Sequence, residues 1–144
     1  MPREDQSPPS PQRHVLIVDD DRHILRAVSI RLRSAGYRVS TATDGALGLE
    51  QASIEIPDVM VVDLSMPKLT GLELIAELRR KMPEINHPIV LLSASVSDRS
   101  RRDLERLGVS HVLEKPFESA ALLRMIDNVM ERRKARDQFG EDIR

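Results

Sequence analysis

Short, solid apolar runs alternate along this chain with stretches whose apolar side chains recur every three to four residues. The first pattern marks strands buried on both faces and the second marks the helices that cover them, so the alternation predicts a parallel sheet with helices on both sides. Strands are predicted near residues 14–19, 38–42, 58–63, 88–93 and 110–114. Helices are predicted near 22–35, 45–54, 71–82, 98–107 and 118–136. The first helix places Leu25, Val28 and Leu32 on one face and ends at Gly36, and the third places Leu72, Ile75, Ala76 and Leu78 together before Pro83. The fifth does the same with Leu122, Ile126 and Val129. Asp21, Asp44 and Ser97 stand where an N-cap would satisfy the free amides of the first, second and fourth helices.

Polar residues close the apolar runs. Asp19 and Asp20 follow His14-Val15-Leu16-Ile17-Val18, Asp63 follows Val59-Met60-Val61-Val62, Ser93 follows Ile89-Val90-Leu91-Leu92, and Lys115 comes after Val112-Leu113. If the runs are neighbouring parallel strands, all five residues lie on the carboxyl edge of the sheet, where open α/β sheets bind ligands. One Asp after a strand is ordinarily a cap or a turn former; five polar residues at four strand ends form a site. Packed carboxylates repel unless a cation sits among them, and oxygen donors without His or Cys favour Mg²⁺. Asp63 can then act as a nucleophile toward phosphorus, giving an acyl phosphate. Lys115 and the metal would neutralise charge on the phosphoryl oxygens, and Ser93 would hydrogen-bond one of them.

The 144 residues, 40% hydrophobic and 31% charged, suit one globular domain. A net charge of -1 gives no argument for nucleic acid or an anionic membrane, and the absence of cysteine removes disulfides and thiolate metal sites. No apolar stretch approaches the roughly 18 residues that span a bilayer, and residues 1–13 lack the apolar core of a signal peptide. A soluble, cytoplasmic protein is expected. Residues 1–12, with Pro2, Pro8, Pro9 and Pro11, read as a disordered leader; 13–131 form the domain; 132–144 read as a charged helix extension and tail or the start of a linker. No GxxxxGK[ST] follows the first strand and no GxGxxG opens the first helix, which argues against nucleotide hydrolases and dinucleotide binders. An aspartyl phosphatase would need acid and base two residues apart, whereas Leu64 and Ser65 follow Asp63. His14, His23, His87 and His111 share no ligand spacing, Phe117 reads as core packing, and Pro67 and Gly71 shape a turn. Lys115-Pro116 is a candidate cis peptide.

Val18-Asp19-Asp20, Val62-Asp63-Leu64-Ser65-Met66-Pro67 with Gly71, Leu92-Ser93-Ala94 and Glu114-Lys115-Pro116-Phe117 give the chain a resemblance, over about residues 14–130, to receiver domains of two-component response regulators. The resemblance implies a flavodoxin-like, doubly wound parallel sheet of five strands in the order 2-1-3-4-5 with five helices. It implies Mg²⁺-dependent phosphorylation of Asp63 by a histidine kinase or histidine phosphotransfer protein. Asp20 and Asp63 would ligate the metal directly, Asp19 through water, and Ser65 through its backbone carbonyl; Ser93 and Lys115 would hold the phosphoryl oxygens, and the small Ala94 would leave access. Such a domain catalyses only its own phosphorylation and slow autodephosphorylation, and Ser65 and Ser95 are too small to block a hydrolytic water. Output would pass through the fourth helix, fifth strand and fifth helix to a downstream protein or a second copy, without direct contact to nucleic acid or membrane. Arg101 and Arg102 belong to that surface. One departure stands out: the position three before Lys115, usually Tyr or Phe in the family, is Val112. The alternative reading is an interaction module that is never phosphorylated; the complete acidic set argues against it.

Overall fold

The computed structural model describes residues 12–83, 87–94, 98–109 and 111–139. Residues 1–11 of the leader, Ser95, Ser97 and residues 140–144 lie outside the described residues. Five strands, β1 (His14–Val18), β2 (Arg38–Ala42), β3 (Val59–Asp63), β4 (Ile89–Ser93) and β5 (His111–Glu114), alternate with five helices, α1 (Arg22–Ser34), α2 (Gly45–Ile54), α3 (Gly71–Lys81), α4 (Asp98–Arg106) and α5 (Ser119–Phe139). All pairings are parallel, in the order β2-β1-β3-β4-β5, as the resemblance implied.

The central strands β1, β3 and β4 are buried at every position, which is why their sequences are solid apolar runs. Val15, Ile17, Val59, Val61, Val90 and Leu92 point to one face, where Leu25, Val28 and Leu32 of α1 and Leu122, Ile126 and Val129 of α5 cover them. Leu16, Val18, Met60, Val62, Ile89 and Leu91 point to the other, against Ala52 of α2, Leu74, Ile75 and Leu78 of α3 and Leu104 of α4. Truncating any fully buried leucine of these layers to alanine costs about 2–5 kcal/mol. The edge strands are different. β2 buries only Val39 and Ala42, and β5 buries none of its four residues fully.

Asp21 and Asp44 cap α1 and α2 as expected, accepting from His23 and Ile24 N–H groups and from the Leu47 N–H. A third cap was readable in Thr70-Gly71-Leu72-Glu73: the Thr70 hydroxyl accepts from the Glu73 N–H while the Glu73 carboxylate accepts from the Thr70 N–H. The apolar face of α3 is corrected by the structure. Leu74 is buried in place of Ala76, which is exposed, and Leu72 is only half-buried. The cause is Gly71, which seats the first turn against the β3–α3 loop and turns the arc of Gly71, Leu74, Ile75 and Leu78 inward. α5 also runs beyond the expected end at residue 136, to Phe139.

Candidate functional site

Strand order reverses between β1 and β3, since β1 has β2 on one side and β3 on the other. A crevice opens at such a point on the carboxyl edge. Asp19 follows β1 directly, its N–H donating to the Ala42 carbonyl at 3.1 Å, and Asp63 is the last residue of β3. Ser93 ends β4 and pairs in register with Glu114, and its carbonyl accepts from the Lys115 N–H at 2.8 Å. The ladder therefore aligns the ends of β3, β4 and β5. Lys115-Pro116 is a cis peptide, as expected.

Asp19, Asp20, Asp63 and Lys115 converge at one place, and Ser93 ends the strand beside Asp63 on the same edge. Asp19, Asp63 and Ser93 are buried, Lys115 is half-buried and Asp20 is exposed. The Lys115 ammonium lies 3.2 Å from Asp19 Oδ2 and 3.4 Å from Asp63 Oδ1, bridging the two buried carboxylates. Asp19 Oδ1 accepts from the Asp21 N–H at 2.9 Å, and Asp63 Oδ1 accepts from the Ser65 N–H at 3.3 Å. Oxygens of Asp19, Asp20 and Asp63 lie within 4.8 Å of one another. Ser65 and Ala94 are exposed at the rim.

The charges do not balance: three carboxylates face one ammonium. Burial, and then the negative charge of Asp19, push the Asp63 carboxyl up to about 6, against the pull of Lys115 and the Ser65 amide. Burial also raises Asp19, with the Asp21 amide and Lys115 opposing. Burial works against the Lys115 charge, but Asp19 and Asp63 outweigh it and hold the ammonium above its ordinary value. Asp19 Oδ2 is buried and, among the described residues, faces the Lys115 ammonium without a hydrogen bond of good geometry. An excess of hard carboxylate oxygen with one such oxygen underused is a donor set that fits Mg²⁺.

Gly71 is the residue whose importance the sequence understated. Its N–H donates to the Leu64 carbonyl at 3.0 Å, and a Cβ there would run into the Asp63 carbonyl oxygen and sit 2.9 Å from Leu64 Cα. Only glycine lets α3 start this close to the strand that carries Asp63. Lys68, in the same loop, adopts φ 68°, which its sequence did not announce.

Residues 15–127 match the family model of the response regulator receiver domain. The chain belongs to that family. Among curated relatives, it is 36% identical over 129 residues to hybrid signal transduction histidine kinase D of Dictyostelium discoideum, covering 90% of this chain and 8% of that protein. It is 36% identical to the transcriptional regulatory protein GlrR of Escherichia coli, covering 82% of this chain and 26% of that one. For the transcriptional regulatory protein PrrA of Mycobacterium leprae the identity is 37%, with 84% and 51% covered. The chain thus spans between 8% and 51% of the length of these relatives. Chemotaxis protein CheY4 of Vibrio cholerae superposes with a TM-score of 0.77 at 34% identity, over 83% of this chain and 99% of that one.

This receiver domain has the five-stranded CheY-like fold and belongs to the receiver domains of two-component signalling. Receiver domains are phosphoacceptors that bind Mg²⁺ through an acidic cluster and interact with histidine kinases or phosphotransfer proteins. Among the described residues, no helix is long and apolar enough to cross a membrane.

Proposed function

We propose that Asp63 is the phosphoacceptor of this receiver domain, that Ser93 and Lys115 bind the phosphoryl oxygens, and that Asp19, Asp20, Asp63 and the Ser65 carbonyl hold Mg²⁺. The observation that carries this reading is the Lys115 ammonium lodged between Asp19 and Asp63, at 3.2 and 3.4 Å, where the strand order reverses. The phosphoryl donor is a phosphohistidine on a kinase or phosphotransfer protein. One Asp63 oxygen bonds phosphorus as the donor's P–N bond breaks, and the electron pair leaves with the imidazole nitrogen. Lys115, already at the Asp63 carboxylate, follows the charge onto the phosphoryl oxygens, and the Ser93 hydroxyl donates to another. Bound Mg²⁺ supplies the positive charge that lets the clustered carboxylates ionise together. Water later cleaves the acyl phosphate slowly, with the small, exposed Ser65 leaving that side open.

Output passes through α4, β5 and α5 to a downstream protein or a second copy. Val112 sits half-buried against the core layer that includes Leu104 and Val109, so this surface responds through aliphatic packing rather than a swinging ring. Arg101 and Arg102 are exposed on α4 and available to a partner. Residues 13–131 act as the receiver unit, with 132–144 as its extension, and the place of action is the cytoplasm.

Incubation with Mg²⁺ and phosphoramidate, followed by intact mass, tests the assignment. Wild type should gain one phosphoryl group and Asp63→Asn none. Modification that persists in Asp63→Asn moves the acceptor elsewhere, and a wild type that stays unmodified favours the interaction-only module.

A further inference from the structure

At the amino end of β1, opposite the acidic site, His14 is 4% exposed and lines a cavity of about 170 Å³ with Leu16, Ser40, Gln51, Ile54 and Glu55. Its Nε2 lies 2.8 Å from the Ser40 hydroxyl on edge strand β2, and among the described residues its buried Nδ1 has no hydrogen-bond partner. Arg38 of β2 and Glu55, the C-cap of α2, form a two-armed ion pair beside the ring. Asp58, before β3, accepts from the His14 N–H at 2.8 Å and pairs with Arg13 at 3.5 Å. The His14 side chain therefore ties β1 to the edge strand beneath the end of α2.

We propose that His14 is a proton-operated latch: neutral, it holds β2 and the end of α2 against β1, and a proton taken up on its ring opens that corner of the domain. The neutral ring matches Ser40 with one nitrogen and leaves at most a lone pair unmet at Nδ1. The imidazolium has two N–H donors, of which Ser40 can accept only one, so the second N–H and the charge are stranded in the interior. The charged neighbours do not rescue it. Arg38 repels the added proton, Glu55 is already engaged by Arg38, and Asp58 is shared between the His14 amide and Arg13. Burial first, and then Arg38, hold the ring below its ordinary 6.5, with Glu55 and Asp58 opposing. The proton is taken up where the corner opens and the ring meets water. β2 is the element to yield, because it is an edge strand with one ladder and buries only Val39 and Ala42.

Amide exchange by mass spectrometry on the whole chain, corrected for intrinsic rates, tests this at pH 7.5 and 5.5. Protection of β2 and the last turn of α2, relative to β4, should fall at the lower pH by up to about tenfold, the ceiling set by an opened ring that titrates at its ordinary value while the closed ring stays neutral. In His14→Gln, whose amide keeps a bond to Ser40 but takes up no proton, the relative protection should not depend on pH. An equal acid loss in His14→Gln, or none in wild type, overturns the proposal. The His14 ring resonances give a readout in the unmutated protein: a midpoint at or above 6.5 overturns it as well.

Discussion

The two ends of the sheet are both rich in ionisable groups, yet they are built on opposite principles. Around His14 at the amino edge the charges are paired, Arg38 with Glu55 and Arg13 with Asp58, and the ring meets Ser40 through Nε2. At the carboxyl edge, among the described residues, three carboxylates share one ammonium, and one buried oxygen of Asp19 lacks a hydrogen bond. The first arrangement closes a fold, whereas the second leaves electrostatic energy available to a cation and a phosphoryl group. Unbalanced charge, rather than charge as such, distinguishes the site from the scaffold.

Backbone packing gives the largest test of that contrast. α3 starts against the Asp63 carbonyl with no room for a methyl group at Gly71. Gly71→Ala should destabilise the domain by about 2–4 kcal/mol, because the obstruction is backbone that cannot swing away. Urea unfolding measures the loss, and the surviving folded fraction should accept phosphoryl groups more slowly because Asp63 has shifted. A variant as stable and as active as wild type would mean that the loop around Asp63 is soft, contrary to the geometry.

Next in size is the charge imbalance itself. The folded Asp63 carboxyl titrates at about 6 against an ordinary 3.8, so between those values the folded chain binds more protons than the unfolded one. The Mg²⁺-free domain therefore loses stability at this edge as pH rises from about 4 through 6. Asp63→Asn should remove that limb and stabilise the Mg²⁺-free domain at pH 7.5 by up to about 3 kcal/mol. The amino edge has the opposite sign, since the His14 ring is held below 6.5 and its contribution is full above that pH and lost below it. Urea midpoints taken from pH 4.5 to 8 should thus fall at the acid end in Asp63→Asn, while in wild type the two edges partly cancel. Mg²⁺ at a hundred times its dissociation constant should add about 2.7 kcal/mol to wild type and far less to Asp63→Asn. An equal gain in both would place the cation somewhere other than the acidic cluster.

How much of this contrast could be read along the chain depends on whether a residue's role is set by its neighbours in sequence or by partners far away. β1, β3 and β4 were legible because burial on both faces makes them almost wholly apolar, and Asp19, Asp20, Asp63 and Ser93 were legible because they stand where those runs end. The inward face of α3 was not, since Leu72-Glu73-Leu74-Ile75-Ala76-Glu77-Leu78 offers two overlapping apolar arcs and the seating of Gly71 on the loop chooses between them. Nor was the amino edge. His14 meets Ser40 across 26 positions and Asp58 across 44, and no spacing rule announces either.

Removing one matched group from the amino edge should do less than disturbing the carboxyl edge. Asp58→Asn keeps an oxygen for the His14 amide but gives up the charge that faces Arg13. Its cost should be about 0.5–1 kcal/mol, the loss of a partly exposed ion pair and the weakening of one charged hydrogen bond. A cost above that of Gly71→Ala would invert the comparison.

The smallest effect separates strain from charge within the carboxyl edge. Lys68 is exposed in the loop after Asp63 and adopts φ 68°, a left-handed conformation that disfavours any side chain with a Cβ. Lys68→Gly should raise stability by only about 0.5 kcal/mol, because relief of the native strain is offset by the greater freedom of glycine in the unfolded chain. The phosphorylation rate with phosphoramidate decides what the strain does. An unchanged rate makes φ at Lys68 a by-product of closing the loop onto Gly71, whereas a fall without loss of stability means that the strained turn holds Ser65 and Asp63 in their productive positions.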